Sequence, residues 1–431
     1  MARIFPFRAY RYSAAAGAPA NLITQPYDKI TPEMQERYFS LSPHNLAHVI
    51  RGRSGPGDTE TDNVYTRAAG LLESWIASGI LAREPAPALF AYFQKFEPPD
   101  VAGAWPCLRK GLIALGAVED YWEGTVYRHE LTHSGPKRDR LELLRRARAH
   151  CGQIFMLYDD PSLAVDQRLD RAAQKAPLTL LRDEYSVEHC LWRIDDPAEI
   201  AEIQRLIQPR KLLIADGHHR YETALAFRRE HPELEGAARV MMTLVNTRSP
   251  GLVVLPTHRV LGNLAGFDGQ QLLRQARKWF EVVDLASLDA LQARLRGVPA
   301  GRMALGAIFR GDRRSYALEM DYQQADRMLP ELAPAMRRLD VAVLHELVLA
   351  RLIGMSAEDV RDERHLRYLR GFQAAAAEID RPQTQAVFFL NPVRVEQVAE
   401  IAFSGGVMPQ KSTDFYPKLL SGMTIYRLEQ G

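Results

Sequence analysis

The order of apolar and polar positions along the chain predicts strands interleaved with helices. Val64, Ala68, Leu71, Leu72, Trp75 and Ile76 recur at helical spacing, and Gly79 follows as a stop. "ALFAYFQKFE" from Ala88 and "LRKGLIALGAV" from Leu108 read as strands of a hairpin or meander joined through "PPDVAGAWP", and the basic stretch "KRDRLELLRRARAH" reads as a helix. From Gln153 onward, strands near "QIFMLY", "HCLWRI", "KLLIA" and "ARVMMTLV" alternate with helices near Asp166, Glu199 and His219, so α/β layering with some parallel pairs is expected. A break at "LPTHRVLGNLAGFDG" precedes a second mixed block with a hairpin over "MALGAIFRGDRRSYALEM" and a helix over "LDVAVLHELVLARLIG". The predicted fold class is mixed α/β in two domains, residues 1–260 and 261–431, with the C-terminal loop of the second returning toward the first.

Length supports that division, because 431 residues exceed what one hydrophobic core usually serves. A hydrophobic fraction of 46% and a formal charge of +2 describe a globular chain without a polyanion-binding surface, which argues against nucleic acid as a partner. Cys107, Cys151 and Cys190 lie far apart with no Cys-x-x-Cys spacing, a pattern that fits a reducing cytoplasm better than a disulfide framework or a thiolate zinc site. Neither "MARIFPFRAYRYS" nor any later stretch has the apolar length of a signal peptide or a membrane span. A cytoplasmic protein with no membrane partner is expected.

The stretch with the most chemistry is "KLLIADGHHRYETALAF", residues 211–227. Leu212 to Ala215 read as a buried strand, Gly217 as the turn, and Tyr221, Ala224, Leu225 and Arg228 as one face of a helix. A helix start exposes backbone N–H groups at the positive end of its dipole, and His218, His219 and Arg220 add donors there, so a phosphate is the natural occupant. The charge of Asp216 would repel that phosphate unless a Mg2+ ion stands between them, with Asp216 as its ligand, or the carboxylate caps the helix. The adjacent histidines point about 100° apart on a helix and do not form a two-histidine chelate.

Three other stretches carry useful groups. "VYRHELTHSGPKRDR" sets His129 and Glu130 among cations, where a glutamate stays ionised as a general base. "FSGGVMPQKSTDFYPKLLSG" joins a Gly-Gly turn to Lys411, Ser412, Thr413 and Lys418, the composition of a loop that wraps an anion, although without P-loop spacing. "ITQPYDKITPEM" offers Asp28 in a proline-bounded turn, as a ligand or as a side chain bonded to its own backbone.

"PFRAYR", "QPYDKI", "YRHELT", "ADGHHRYETA" and "MPQKSTDFYPKLLSG", in this order over nearly the whole chain, resemble the family named domain of unknown function 1015. "GHHRYETA" after a strand is also similar to the Gly-Glu-Arg-Arg-x-Arg-Ala box of the chromosome-partition (ParB-like) nucleotide-binding fold, which includes free-serine kinases. That resemblance implies phosphate contacts at Gly217, His219 and Arg220, while His218 stands where the box has glutamate and Glu222 where it has another arginine. Together these readings predict a nucleotide-dependent phosphotransferase, a small-molecule kinase using ATP or ADP with Mg2+. Its acceptor would be serine or a similar hydroxylated metabolite, with Glu130 as base and Asp28 in reserve. Alternatives are a phosphatase or hydrolase using His218 or His219, and a nucleotide-responsive switch without turnover.

Overall fold

The structure, a computed structural model, describes residues 1–99, 106–131 and 134–428. Residues 100–105 of the expected hairpin loop and residues 132–133 of the "YRHELTH" stretch lie outside them.

Among the described residues the first half of the chain builds a nine-stranded mixed sheet. Its order is Val126–Tyr127, Leu212–Asp216, Ile154–Tyr158, Arg239–Asn246, Cys107–Ala117, Leu89–Phe96, Glu188–Ile194, Thr179–Arg182, and Ile4–Phe5 pairs separately with Cys107–Ala117. The hairpin expected from the two long apolar runs forms with Phe90 opposite Ile113. Parallel pairing occurs where Arg239–Asn246 meets Ile154–Tyr158 and where Leu212–Asp216 meets Val126–Tyr127.

Both faces of the central strands are buried, which is why they read as unbroken apolar runs. The twofold side-chain alternation sends Phe155, Leu157, Leu213 and Ala215 into one core layer and Ile154, Met156, Leu212 and Ile214 into the other. Helices Ala164–Ala172, Pro197–Ile207 and His218–Glu230 contribute to that second layer through Leu169, Ile203, Tyr221 and Leu225.

From Thr257 the chain enters a six-stranded antiparallel sheet in the order Glu281–Leu285, Ser315–Asp321, Arg302–Phe309, Thr384–Phe389, Thr257–Gly262, Leu366–Arg370. The change of sheet falls between Asn246 and Thr257. One hydrophobic cluster nevertheless joins Phe155 and Leu213 of the first sheet to Leu305 and Phe388 of the second, with Phe415 and Leu419 of the C-terminal segment in the same cluster. That segment returns as the strand Asp414–Tyr416, paired with Val253–Leu255. No helix of the described residues is long and apolar enough to cross a membrane.

Candidate functional site

The site is built on the exit from strand Leu212–Asp216. Its pairing with Ile154–Tyr158 shifts register between Ile214 and Asp216, a bulge that re-aims the last side chain of the strand. Gly217 follows at φ +93° as the N-cap of helix His218–Glu230, whose first intrahelical bond runs from Tyr221 N to Gly217 O at 3.0 Å. The amides of His218, His219 and Arg220 precede that bond and so have no acceptor within the helix. The capping role considered for Asp216 is not taken up, because Gly217 occupies the cap and no side chain bonds there.

Asp216 anchors a chain of charges instead. Its Oδ1 accepts from Lys418 Nζ at 2.9 Å and its Oδ2 from Arg220 Nη2 at 2.8 Å. Lys418 Nζ also lies 3.2 Å from Asp414 Oδ1, and Arg370 Nε donates to Asp414 Oδ2 at 2.6 Å. Burial alone would push the Asp216 carboxyl up, but Lys418, Arg220 and Lys29 outweigh it and hold the group well below the usual carboxylate range. Lys418 is held above its ordinary value, because Asp216 and Asp414 overcome its burial. Asp414 is likewise held below the usual carboxylate range, since Lys418 and Arg370 outweigh its burial, so Asp216, Lys418 and Asp414 are all ionised.

This arrangement bears on the expectation of a Mg2+ ligand at Asp216. Both carboxylate oxygens are engaged by cations, and no group of three or more His, Cys, Asp or Glu side chains among the described residues could hold a metal ion.

Around this chain opens a cleft of about 400 Å³. Asp28 and Lys29 reach it from the "PYDK" turn, Glu130 from the strand edge at Tyr127, and Asp216, Gly217, His218, His219 and Arg220 from the helix start. Lys411, Thr413 and Lys418 close it from the C-terminal segment. Segments separated by up to some 390 positions in sequence thus share one cavity, as the fold brings residues 27–30 and 410–418 together.

Two predicted residues stand behind the wall. The Ser412 hydroxyl turns into its own loop and donates to Pro409 O. His129 is buried, with Nδ1 2.8 Å from Ile214 O and Nε2 2.9 Å from Thr413 Oγ1. Burial depresses its pKa to about 4, so the ring is neutral. A carbonyl only accepts, which places the ring hydrogen on Nδ1 and makes Nε2 the acceptor from the Thr413 hydroxyl. Thr413 consequently presents lone pairs to the cleft. His218 packs edge-on against His129 at 4.7 Å, and its buried Nε2 has no hydrogen-bond partner among the described residues. Burial and the neighbouring His129 keep it neutral.

Glu130 is a cleft carboxylate pushed upward. Burial raises its pKa, while the Lys411 ammonium and a hydrogen bond from the Lys411 backbone pull against that rise.

Several supporting residues were not legible as such. Arg109, fully buried, donates from Nη1 to Tyr416 O at 3.1 Å and from Nε to Gln94 Oε1 at 3.0 Å, and Gln94 Nε2 donates to Lys418 O at 2.9 Å. Arg259 Nη2 donates to Gln410 O at 3.2 Å and Lys411 O at 3.1 Å. The available signal was an arginine inside an otherwise apolar strand, a position that is costly unless the guanidinium is bonded.

Gly217 offers a direct test of the turn. A Cβ there would stand 3.0 Å from Arg220 Nη2 and 3.2 Å from Cζ, at a φ that L side chains rarely adopt. Gly217→Ala is expected to cost about 1–2 kcal/mol in backbone strain and to loosen the Arg220 contact with Asp216. Urea denaturation would show the first effect.

Residues 4–342 match the family described as Protein of unknown function (DUF1015). No curated protein matches the chain. Among solved structures, a free serine kinase in complex with AMP is similar at 14% identity and a TM-score of 0.34, covering 68% of this chain and 83% of its own. A conserved hypothetical protein from Pyrococcus furiosus is similar at 15% identity and 0.35, covering 71% and 93%. A C-terminally truncated SbnI from Staphylococcus aureus is similar at 10% identity and 0.35, covering 72% and 85%.

Proposed function

The chain belongs to the family described as Protein of unknown function (DUF1015), and from that premise we propose that its cleft is the active site of a nucleotide-dependent phosphotransferase acting on a small hydroxylated metabolite. The observation that carries the reading is the meeting of the Gly217 helix start, Lys411, Lys418 and Glu130 on one cavity. Phosphoryl transfer asks chiefly for positioning and charge neutralisation, and amides with a positive helix end, two lysines and Arg220 supply both. ATP or ADP is the donor in this reading.

Glu130 is the base. Its carboxylate takes the proton of the substrate hydroxyl as that oxygen bonds to phosphorus, and the bridging oxygen departs with the shortened nucleotide. The Asp216–Lys418–Asp414 chain holds Lys418 in place and charged, so that the ammonium faces the developing charge without reorganising. Serine or a similar hydroxylated amino acid is the acceptor to try first.

Incubation with ATP or ADP, magnesium and a pool of hydroxylated metabolites, read by ³¹P NMR, is expected to give a phosphate ester. Nucleotide consumption without an acceptor would reassign the cleft to hydrolysis. Stabilisation by nucleotide with no turnover would make it a switch.

A further inference from the structure

Residues 129–130 are tied to the C-terminal loop at three points. Met408 N donates to His129 O at 2.8 Å, the Lys411 backbone bonds the Glu130 carboxylate, and Thr413 Oγ1 lies 2.9 Å from His129 Nε2. Two adjacent residues thus fix the loop over 411–413, and Glu130 and Thr413 both line the cleft.

The direction of each hydrogen bond in the last tie follows from its far end. Ile214 O accepts and never donates, so His129 Nδ1, 2.8 Å away, carries the ring hydrogen. The buried, neutral ring then offers Nε2 as an acceptor, and the single hydrogen of the Thr413 hydroxyl is committed to it. Thr413 turns only lone pairs to the cleft, and among the described residues no group donates to them. A freely rotating hydroxyl serves donors and acceptors alike, whereas this one serves donors alone.

An ionised phosphoryl oxygen carries no hydrogen, so beside Thr413 two acceptors would meet without a proton between them, at the cost of an unmade hydrogen bond. Phosphate finds donors instead at the helix start after Gly217 and at Lys411 and Lys418. An O–H or N–H finds in Thr413 an acceptor already oriented. Because His129, the residue before Glu130, holds the Thr413 hydroxyl, the two groups read by Glu130 and Thr413 belong close together on one small molecule. We infer, resting on the phosphotransferase reading of this cleft, that Thr413 is a specificity-determining residue for the phosphoryl acceptor. That acceptor bears a second O–H or N–H on the carbon beside its reacting hydroxyl: it is a 1,2-diol or a 1,2-amino alcohol. Thr413 takes no part in holding phosphate.

Calorimetric titration of the full chain with serine, glycerate, 3-hydroxypropionate and inorganic phosphate tests this. The third compound keeps the terminal hydroxyl and the carboxylate but has only hydrogen on the middle carbon. Serine or glycerate should bind about tenfold or more tightly than 3-hydroxypropionate, the effect of one hydrogen bond made in place of a buried acceptor left unpaired. Thr413→Val keeps the shape and removes the acceptor, so it should erase that preference and leave inorganic phosphate binding unchanged. Thr413→Ser keeps the hydroxyl and its bond to His129, should retain the preference, and keeps the protein testable if the valine variant does not fold. Equal binding of the three organic acids, no saturable binding of any of them, a preference that survives in Thr413→Val, or one lost in Thr413→Ser overturns the inference. So does a loss of inorganic phosphate binding in Thr413→Val. Phosphate-ester formation is read separately: the preference without any ester would remove the phosphotransferase reading and leave the selection by Thr413, and esters formed without the preference would do the reverse.

Discussion

Lys418→Met is expected to destabilise the protein by about 3 kcal/mol and to abolish binding in the cleft. Removing one partner from a buried ion pair costs about 3–5 kcal/mol because the remaining charge is left dehydrated. The lower end applies here, since Asp216 keeps Arg220 and Asp414 keeps Arg370 when the lysine is gone. The measurement is a urea midpoint at unchanged slope. A midpoint equal to wild type would mean that the clamp contributes nothing to the fold.

The same variant has a diagnostic pH dependence. Asp216 has a depressed pKa in the wild type, so its contribution is present above the ordinary aspartate range and is lost only as pH falls through the lower folded value. Lys418 has a raised pKa, so its contribution is present below about 10.4, the usual lysine value, and is lost as pH rises beyond that through the higher folded value. The wild-type clamp should therefore persist from mildly acidic to alkaline conditions. In Lys418→Met, burial acts on Asp216 and Asp414 without the lysine to oppose it, so both carboxyls take up protons more readily. The deficit should shrink as the solution is acidified, because protonation removes the uncompensated charge.

The parts of this site readable in the sequence were local ones. The run Leu212 to Ala215, the glycine and the helical spacing of Tyr221, Ala224 and Leu225 are dictated by side-chain periodicity and backbone freedom within a dozen residues. The strand, the turn at φ +93° and the helix follow accordingly. The partner of Asp216 was not readable, because Lys418 lies 202 positions away and only the return of the C-terminal segment onto Val253–Leu255 brings it close. Cap and metal were the roles a lone aspartate suggests; an ion pair requires the second segment to be in place. His129 and Ser412 illustrate the complementary difficulty. Density of reactive side chains marks a neighbourhood, whereas the direction of each depends on strand facing and loop path, which turn these two away from the cavity and leave Glu130 and Thr413 facing it. Arg109 and Arg259 read as ordinary strand arginines until the carbonyls above them come into place.

Glu130→Gln should lower phosphoryl transfer by about 10²–10⁴-fold, the usual contribution of a positioned general base, with little change in nucleotide binding. Loss of fold would not account for such an effect. The raised pKa of Glu130 means that ionising it costs stability, and that cost appears as pH rises from the unfolded value through the folded one. At neutral pH the amide removes the cost, so Glu130→Gln should melt no earlier than wild type. The wild-type rate should rise with pH along a limb set above the ordinary glutamate range, and this limb should vanish in Glu130→Gln. Lys411→Ala separates the base from a general electrostatic effect. Lys411 pulls the Glu130 pKa down, so removing its ammonium should move the limb to higher pH while the surviving plateau activity still depends on Glu130. A limb that stays fixed in Lys411→Ala, or that survives in Glu130→Gln, would assign the proton transfer to another group.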